Sequence, residues 1–237
     1  MKIEVVGSGG AFSTLGTSFL VDDFLLVDCG DAVVKKLLQN GQLNNVSTVL
    51  ITHKHFDHIN GVEAFVAYKT YVQKADFAIV VPSDAYALLM QSNICIAQAK
   101  NFYKLPSIAF DSPYFSSPCV ELPISILGYD VVAVLTKHAD LMAFGYSVVR
   151  EDTETCAYFS GDVDDLAPLT PAALDYFHII FHDVGWTGLE DCETRVHPFE
   201  DRVAAAFGNP QNLFGVHTDQ DLQHMKQAKA GDIFTIT

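Results

Sequence analysis

The stretch Val49-Leu50-Ile51-Thr52-His53-Lys54-His55-Phe56-Asp57-His58-Ile59-Asn60-Gly61 decides how the rest of the chain is read. Its first four residues are aliphatic or β-branched, the composition of a buried strand. The strand ends at His53, and three histidines and an aspartate then fall within six residues. His53 and His55 are two positions apart, so extended backbone points both rings to one side. Asp57 and His58 fall at a predicted helix start and can turn toward a neighbouring position. Imidazole nitrogen and carboxylate oxygen are donors that zinc prefers and that manganese or iron accept. Packing gives no reason to collect four such groups at the end of an apolar strand, so a metal-ligating loop is expected here.

Outward from this loop, β-branched apolar runs predict strands over 2–6, 17–21, 24–28, 48–52 and 78–81, then over 129–135, 145–150, 155–160, 177–181, 212–216 and 233–236. Helices are expected over 31–40, 59–68, 83–91, 199–207 and 219–230. In the first of these, Val33, Val34, Leu37 and Leu38 form one apolar stripe. Residues 105–123 hold Pro106, Pro113, Pro118 and Pro123 and read as a long irregular loop. Strands cluster first, then mix with helices, and a mostly-β centre recurs in the second half. That order suits an α+β sandwich of sheets with helices outside. No Pro/Ser-rich linker cuts the chain, so residues 1–237 read as a single domain.

Composition narrows the function classes. Hydrophobic residues make up 49% of the 237, enough for a large core. Lys and Arg number 14 against 29 Asp and Glu, a formal net charge of -15. Such a surface repels polyanions, so general nucleic-acid binding is not expected. The five cysteines, Cys29, Cys95, Cys119, Cys156 and Cys192, are scattered and form no CxxC pair. They read as reduced, buried thiols of a cytoplasmic protein. The amino-terminal residues pass straight into a strand without the apolar centre of a signal peptide, and no apolar run is long enough to cross a bilayer.

With these motifs in view, the chain resembles the metallo-β-lactamase superfamily. His53-Lys54-His55-Phe56-Asp57-His58 is similar to its HxHxDH signature, and further pieces come in family order. They are Gly7-Ser8-Gly9-Gly10, the strand end Leu26-Val27-Asp28-Cys29-Gly30, Lys137-His138 with Phe144-Gly145-Tyr146, Ser160-Gly161-Asp162 and Gly215-Val216-His217. The resemblance implies the αββα four-layer sandwich of the metallo-β-lactamase fold. It also implies two divalent metal ions, zinc first, with manganese or iron as substitutes. His53, His55 and His138 would hold one ion, Asp57, His58 and His217 the other, and Asp162 would bridge both. A metal-bridging hydroxide would be the nucleophile.

Within that superfamily the chain is similar to the ribonuclease Z-like phosphodiesterase branch. Phe181-His182-Asp183-Val184 stands where that branch carries a histidine-glutamate pair, one methylene longer at the acid. Arg195-Val196-His197-Pro198-Phe199-Glu200 resembles its histidine before a helix, although Pro198 and Phe199 replace small hydroxylated residues. By resemblance, His197 donates a proton to the leaving alkoxide and Asp183 orients it, which with Asp57 gives the catalytic candidates. His182 is expected to cap a strand or pack under the site, and His178 and His224 to be structural or surface residues. Ser13, Thr14 and Thr17, in the turn after the first strand, are expected to contact substrate phosphate.

The resemblance also implies limits. Too few residues stand between His138 and Asp162 for the arm with which ribonuclease Z enzymes grip transfer RNA. Arm-less phosphodiesterases of this type act on small substrates, cyclic nucleotides among them. Hydrolysis of small phosphodiesters, with cyclic nucleotides leading, is therefore the expected activity, and relatives of this kind pair as homodimers. Transfer RNA 3′-end processing, β-lactam or thioester hydrolysis and non-enzymatic nucleotide sequestration are the alternatives. A di-iron oxidoreductase would need an electron-carrier domain that this length does not accommodate. The aromatics Tyr71, Phe77, Phe102, Tyr103, Phe110, Tyr114 and Phe115 are candidates for a base-pocket wall, with ordinary packing the stronger expectation for any one of them.

Overall fold

The computed structural model describes residues 1–30, 32–106, 110–185, 197–218 and 220–237. Cys192 and the Arg195-Val196 pair, both singled out above, lie outside the described residues.

Two seven-stranded sheets form the centre. The first holds β1 (Lys2–Gly7), β2 (Ser18–Val21), β3 (Leu25–Val27), β4 (Thr48–Leu50), β5 (Ala78–Val81) and β6 (Phe102–Lys104). The second holds β7 (Cys119–Glu121), β8 (Tyr129–His138), β9 (Leu141–Arg150), β10 (Thr155–Phe159), β11 (Ile179–Asp183), β12 (Leu213–Val216) and β13 (Lys226–Gln227). The last strand, β14 (Ile233–Thr235), returns to pair antiparallel with β1 at the edge of the first sheet. In each sheet an antiparallel part joins a parallel part: β3-β4-β5-β6 run parallel in the first, β10-β11-β12-β13 in the second.

Three apolar cores define four layers. Leu25, Leu50 and Val80 of the first sheet meet Ala133, Phe144, Phe159 and Phe181 of the second in a central core. Val49, Ile51 and Ile79 point the other way, as the two-residue period of a strand requires. There they pack under α1 (Val33–Gln39), α3 (Val62–Ala67), α4 (Ser83–Leu89) and α5 (Asn93–Ala97). The second sheet buries Val134, Tyr158 and Ile180 against α6 (Pro171–Tyr176) and α7 (Glu200–Phe207). Near-continuous burial along the parallel strands is the consequence of covering both faces. The αββα sandwich inferred from the sequence is the fold observed.

Several elements differ from the sequence reading. The helix expected over 59–68 begins earlier, as α2 (Phe56–Ile59), breaks at Asn60-Gly61, and resumes as α3 before a π-helical turn over Tyr68–Gln73. The supposed irregular loop 105–123 contributes the edge strand β7. No helix forms over the described part of 219–230. Glu200, itself buried, turns its Oε1 onto the backbone N–H groups of His224 and Met225, at 3.0 Å for Met225. Met225 and Ala228 are thereby drawn into two different cores. A tertiary carboxylate outweighs a weak helical stripe of Leu222, Met225 and Ala228.

Candidate metal centre

The carboxyl ends of the parallel strands of both sheets converge on one edge of the sandwich, the usual place for a site in open α/β sheets. Thr52-His53 follows β4, Asp162 follows β10, Asp183 ends β11, His217 follows β12 and His138 ends β8. The His53–His58 turn is clamped from below. Cys29 N–H donates to His58 O at 2.9 Å and Gly61 N–H to Cys29 O at 2.8 Å. A Cβ on Gly30 would stand 1.6 Å from Asp57 O, and one on Gly16 2.2 Å from it, so only glycine admits this turn.

The structure gathers all seven sequence-derived ligand candidates into two groups that share Asp162. One holds His53, His55, His138 and Asp162, the other Asp57, His58, Asp162 and His217. In the first, His53 Nε2 and His138 Nε2 stand 2.9 and 3.1 Å from His55 Nδ1, and 3.5 and 3.8 Å from Asp162 Oδ2. In the second, His58 Nε2 is 3.5 Å from Asp57 Oδ2 and 3.3 Å from Asp162 Oδ1, while His217 Nε2 is 3.1 and 3.4 Å from Asp57 Oδ2 and Asp162 Oδ2.

The donor sets fit metal ions. Ligands about 2.05 Å from a tetrahedral ion are separated by about 3.3 Å, the middle of the distances above. The buried His58 Nε2 has no hydrogen-bond partner among the described residues, yet faces two carboxylates. Three imidazole nitrogens converge at His55, whose Nδ1 offers one lone pair or one proton and so cannot hydrogen-bond both neighbours. Asp28, Asp162 and Asp183 are at most 3% exposed, and with Asp57 they crowd negative charge that burial penalises unless cations offset it. The same imbalance governs the titration of the ligands. Burial drives His53 well below the ordinary histidine value. Burial also opposes charge on His217, but the Asp162 charge and the hydrogen bonds to Asp183 and Asp57 outweigh it, raising its pKa to about 10.

A second layer holds these rings. His58 Nδ1 is 2.7 Å from Asp28 Oδ2, and Asp28 also accepts the N–H and hydroxyl of Thr52, both at 2.8 Å. Carboxylates behind metal-binding histidines fix the tautomer and the ring orientation. Asp28 achieves this at φ 59°, and the candidate ligand His217 stands at φ 67°, both in the left-handed region that costs a non-glycine residue energy. Sequence reasoning passed over Asp28 as a plain strand end. The signal available was a carboxylate closing an apolar run two residues before a glycine.

Beside the second group, Asp183 is 1% exposed and divides its oxygens between two rings. Oδ2 is 2.7 Å from His197 Nδ1, and Oδ1 is 3.3 Å from His217 Nδ1. Burial opposes protonation of His197, but the charge and hydrogen bond of Asp183 prevail and raise its pKa. His182 packs beneath: its Nε2 accepts the Ala167 N–H at 2.9 Å. His224 is exposed and pairs with Asp201, and the exposed His178 contacts Cys156 Sγ at 3.2 Å. In the turn after β1, Ser13 donates to Leu15 O at 2.7 Å and Thr17 to Gly9 O at 3.2 Å. Both hydroxyl protons are thus committed within the turn, and Thr14 is the exposed hydroxyl of the three. Of the aromatic candidates for a base wall, Phe77 and Phe102 belong to the core under the helices and Phe115 to the core under α6. Tyr114 stacks on Tyr176 at 4.0 Å.

Comparison with known proteins agrees with this fold. Human short-form tRNase Z superimposes with a TM-score of 0.72 over 100% of both chains at 16% identity. The metallo-β-lactamase-fold protein YhfI from Bacillus subtilis does so with a TM-score of 0.70 over 98% of both at 17% identity. The protein called Anti-Pycsar protein Apyc1 from Bacillus phage 010DV004 is 28% identical over 77% of this chain and 76% of its own length. Residues 1–205 match the family described as Anti-Pycsar protein Apyc1, and the chain belongs to that family.

Proposed function

We propose that the chain is a metal-dependent phosphodiesterase that opens small cyclic phosphodiesters, cyclic mononucleotides first among them. The observation that carries this reading is the pair of donor groups joined through Asp162, with the His197–Asp183 pair at their margin. Family membership and the arm-less phosphodiesterase resemblance favour the same substrates. Residues 1–237 act as one hydrolase unit, as a homodimer in the cytoplasm. The four described cysteines, all buried and free, suit a reducing compartment. No helix among the described residues is long and apolar enough to cross a membrane.

In this reading His53, His55, His138 and Asp162 would hold one divalent ion, and Asp57, His58, His217 and Asp162 would hold the other, zinc being the best match to the donors. Such ions supply a nucleophile at neutral pH and neutralise phosphoryl charge. The chain's own residues do the rest. Asp57 accepts a hydrogen bond from the attacking water and fixes its line of approach. The water, having lost one proton to bulk solvent, bonds through its oxygen to phosphorus, and the phosphorus–oxygen bond of the ring opens on the opposite side. His197, through the nitrogen not engaged by Asp183, gives its proton to the departing alkoxide. Asp183 keeps that ring oriented and charged before the step. Ser13, Thr14 and Thr17 border the phosphate, with Thr14 and the backbone N–H groups of the turn as its donors.

Transfer RNA processing is disfavoured. Between His138 and Asp162 the chain forms only β9, a turn and β10, and the net charge is -15. β-Lactam or thioester hydrolysis gives no role to a carboxylate-held His197. The deciding experiment combines metal analysis with a panel of cyclic nucleotides, dinucleotides and transfer RNA precursors, with and without chelator. Small cyclic phosphodiesters should be hydrolysed fastest, and chelation should abolish turnover. Bound nucleotide without turnover would indicate sequestration instead.

A further inference from the structure

The most exposed large apolar side chains beside the donor groups are aromatic. In the run His53 to His58 the two non-ligand positions are Lys54 and Phe56. Lys54 turns to Asp84 at 3.2 Å, whereas Phe56 is 68% exposed. Phe56 is one peptide unit, about 3.8 Å between Cα atoms, from His55 of the first group and from Asp57 of the second. Phe12 is 93% exposed at the tip of the turn after β1. That turn is anchored against the same site at both ends. A Cβ on Gly10 would meet His217 O at 3.3 Å, and Gly16 packs on Asp57 O. Among the described residues the other exposed aromatics, Tyr71 at 60% and Phe110 at 41%, stand on segments that contribute no donor residue.

Burying a phenylalanine is among the larger favourable terms open to a folded chain. Here Phe56 is 68% exposed between two candidate ligands, and Phe12 stands on the turn that packs against the same site. A flat aromatic substituent on the substrate would cover them and gain stacking that no aliphatic or sugar substituent offers. A phosphodiester held between the two groups has its organic substituent close by, and Phe56 stands next to both groups at once.

We propose that Phe56 is a specificity-determining residue that stacks on the nucleobase of the substrate, with Phe12 as a second wall. This rests on the phosphodiesterase reading above and adds how the base is recognised. Phe56 is a binding residue and takes no part in proton transfer.

The test compares a ribonucleoside cyclic phosphate with a ribose cyclic phosphate that carries no base. The ratio of kcat/KM for the first over the second should fall about 10-fold in Phe56→Ala, chiefly through KM, and return in Phe56→Trp. Phe12→Ala should give a smaller fall. In parallel, calorimetry measures the wild-type preference for the nucleoside monophosphate over ribose phosphate, which should shrink in the same order. An unchanged ratio in Phe56→Ala overturns the proposal. So does an equal loss on both substrates accompanied by dissociation of a dimer, which would make Phe56 a contact with a second copy of the chain. If the wild type hydrolyses neither substrate, the phosphodiesterase reading falls, and the binding preference alone decides for or against the platform. Metal content and thermal midpoint exclude misfolding as the cause of either loss.

Discussion

The two halves of the candidate metal centre are built in opposite ways. The first comes from one turn, in which His53, His55, Asp57 and His58 are nearly consecutive and glycines at 16, 30 and 61 let the backbone close around them. The second comes from strand ends spread along the other sheet: His138, Asp162, Asp183 and His217. The first half is specified by local sequence. The second exists only when the sandwich has closed and the strands are in register. Each half alone offers incomplete groups, so ligation is tied to tertiary structure, as in metal sites whose binding energy is also folding energy.

Asp162 is where the halves meet, and its loss should show the largest effect. Asp162→Ala should lower phosphodiester turnover by roughly 10³-fold or more and reduce metal content in both groups. An Asp162→Ala protein with full metal content and normal turnover would break the picture of a shared carboxylate. His197 stands at the margin of the second half, outside the two groups that gather the seven ligand candidates, in a further cluster with Asp162, Asp183 and His217. His197→Ala should lower kcat by about 10²–10⁴-fold with metal content unchanged. Wild-type cleavage by this variant would remove the proton-donor assignment. Asp28 supports the first half from behind, through His58 and Thr52. Asp28→Asn should weaken metal affinity by about 10–100-fold, measured by competition with a chromogenic chelator. Equal weakening of ligands in the second half would show the halves to be less separable than their construction indicates.

The smallest effect is one of stability, on the helical layer behind the first half. Lys69 is 1% exposed, with Nζ on Asn44 O at 3.1 Å and Gln73 Oε1 at 2.6 Å, and burial lowers its pKa to about 8. An unfolded lysine titrates near ~10.4. Between those values the unfolded chain holds a proton that the folded one has released, so this residue's contribution to stability rises with pH across the window. Below pH 8 its cost is constant and greatest. Lys69→Met, which leaves Asn44 O with the Gln73 amide at 2.8 Å, should raise Tm by a few degrees (about 2–4 °C) near pH 7. Its advantage over wild type should narrow toward pH 10, with metal content unaltered. An advantage independent of pH would show that the buried amine is not the cause.

The same division explains what could be read from the sequence. The His53–His58 turn declares itself because its donors are adjacent and follow an apolar strand. His138, Asp162 and His217 are each unremarkable alone and were found only through their order in a family pattern. Asp28 was missed because its role depends on the register Val27↔Leu50, which puts its carboxylate beside Thr52, and on a left-handed backbone at φ 59°. Neither is visible in residue types. Strand and helix order point to a sandwich of sheets with helices outside, and the family resemblance supplies the four layers. The stretch after residue 219 was misread because Glu200, far away in sequence, captures its amides. The aromatics of 68–123 drew attention by number, yet burial claims several of them, while Phe56 sat unremarked inside the quoted motif.

Cys29 offers a consequence of the way the turn is clamped. Its thiol is fully buried, its N–H is held by His58 O, and its Sγ would be 3.1 Å from any Cβ placed on Gly61. Burial, with the charge of Asp28 next to it, raises its pKa far above that of a free thiol and leaves it unreactive. An alkylating reagent therefore reaches it only when the strand end and the histidine turn part company. The rate at which Cys29 is capped, followed by mass spectrometry, becomes a clock for how often that corner of the molecule breathes, readable without substrate or added label.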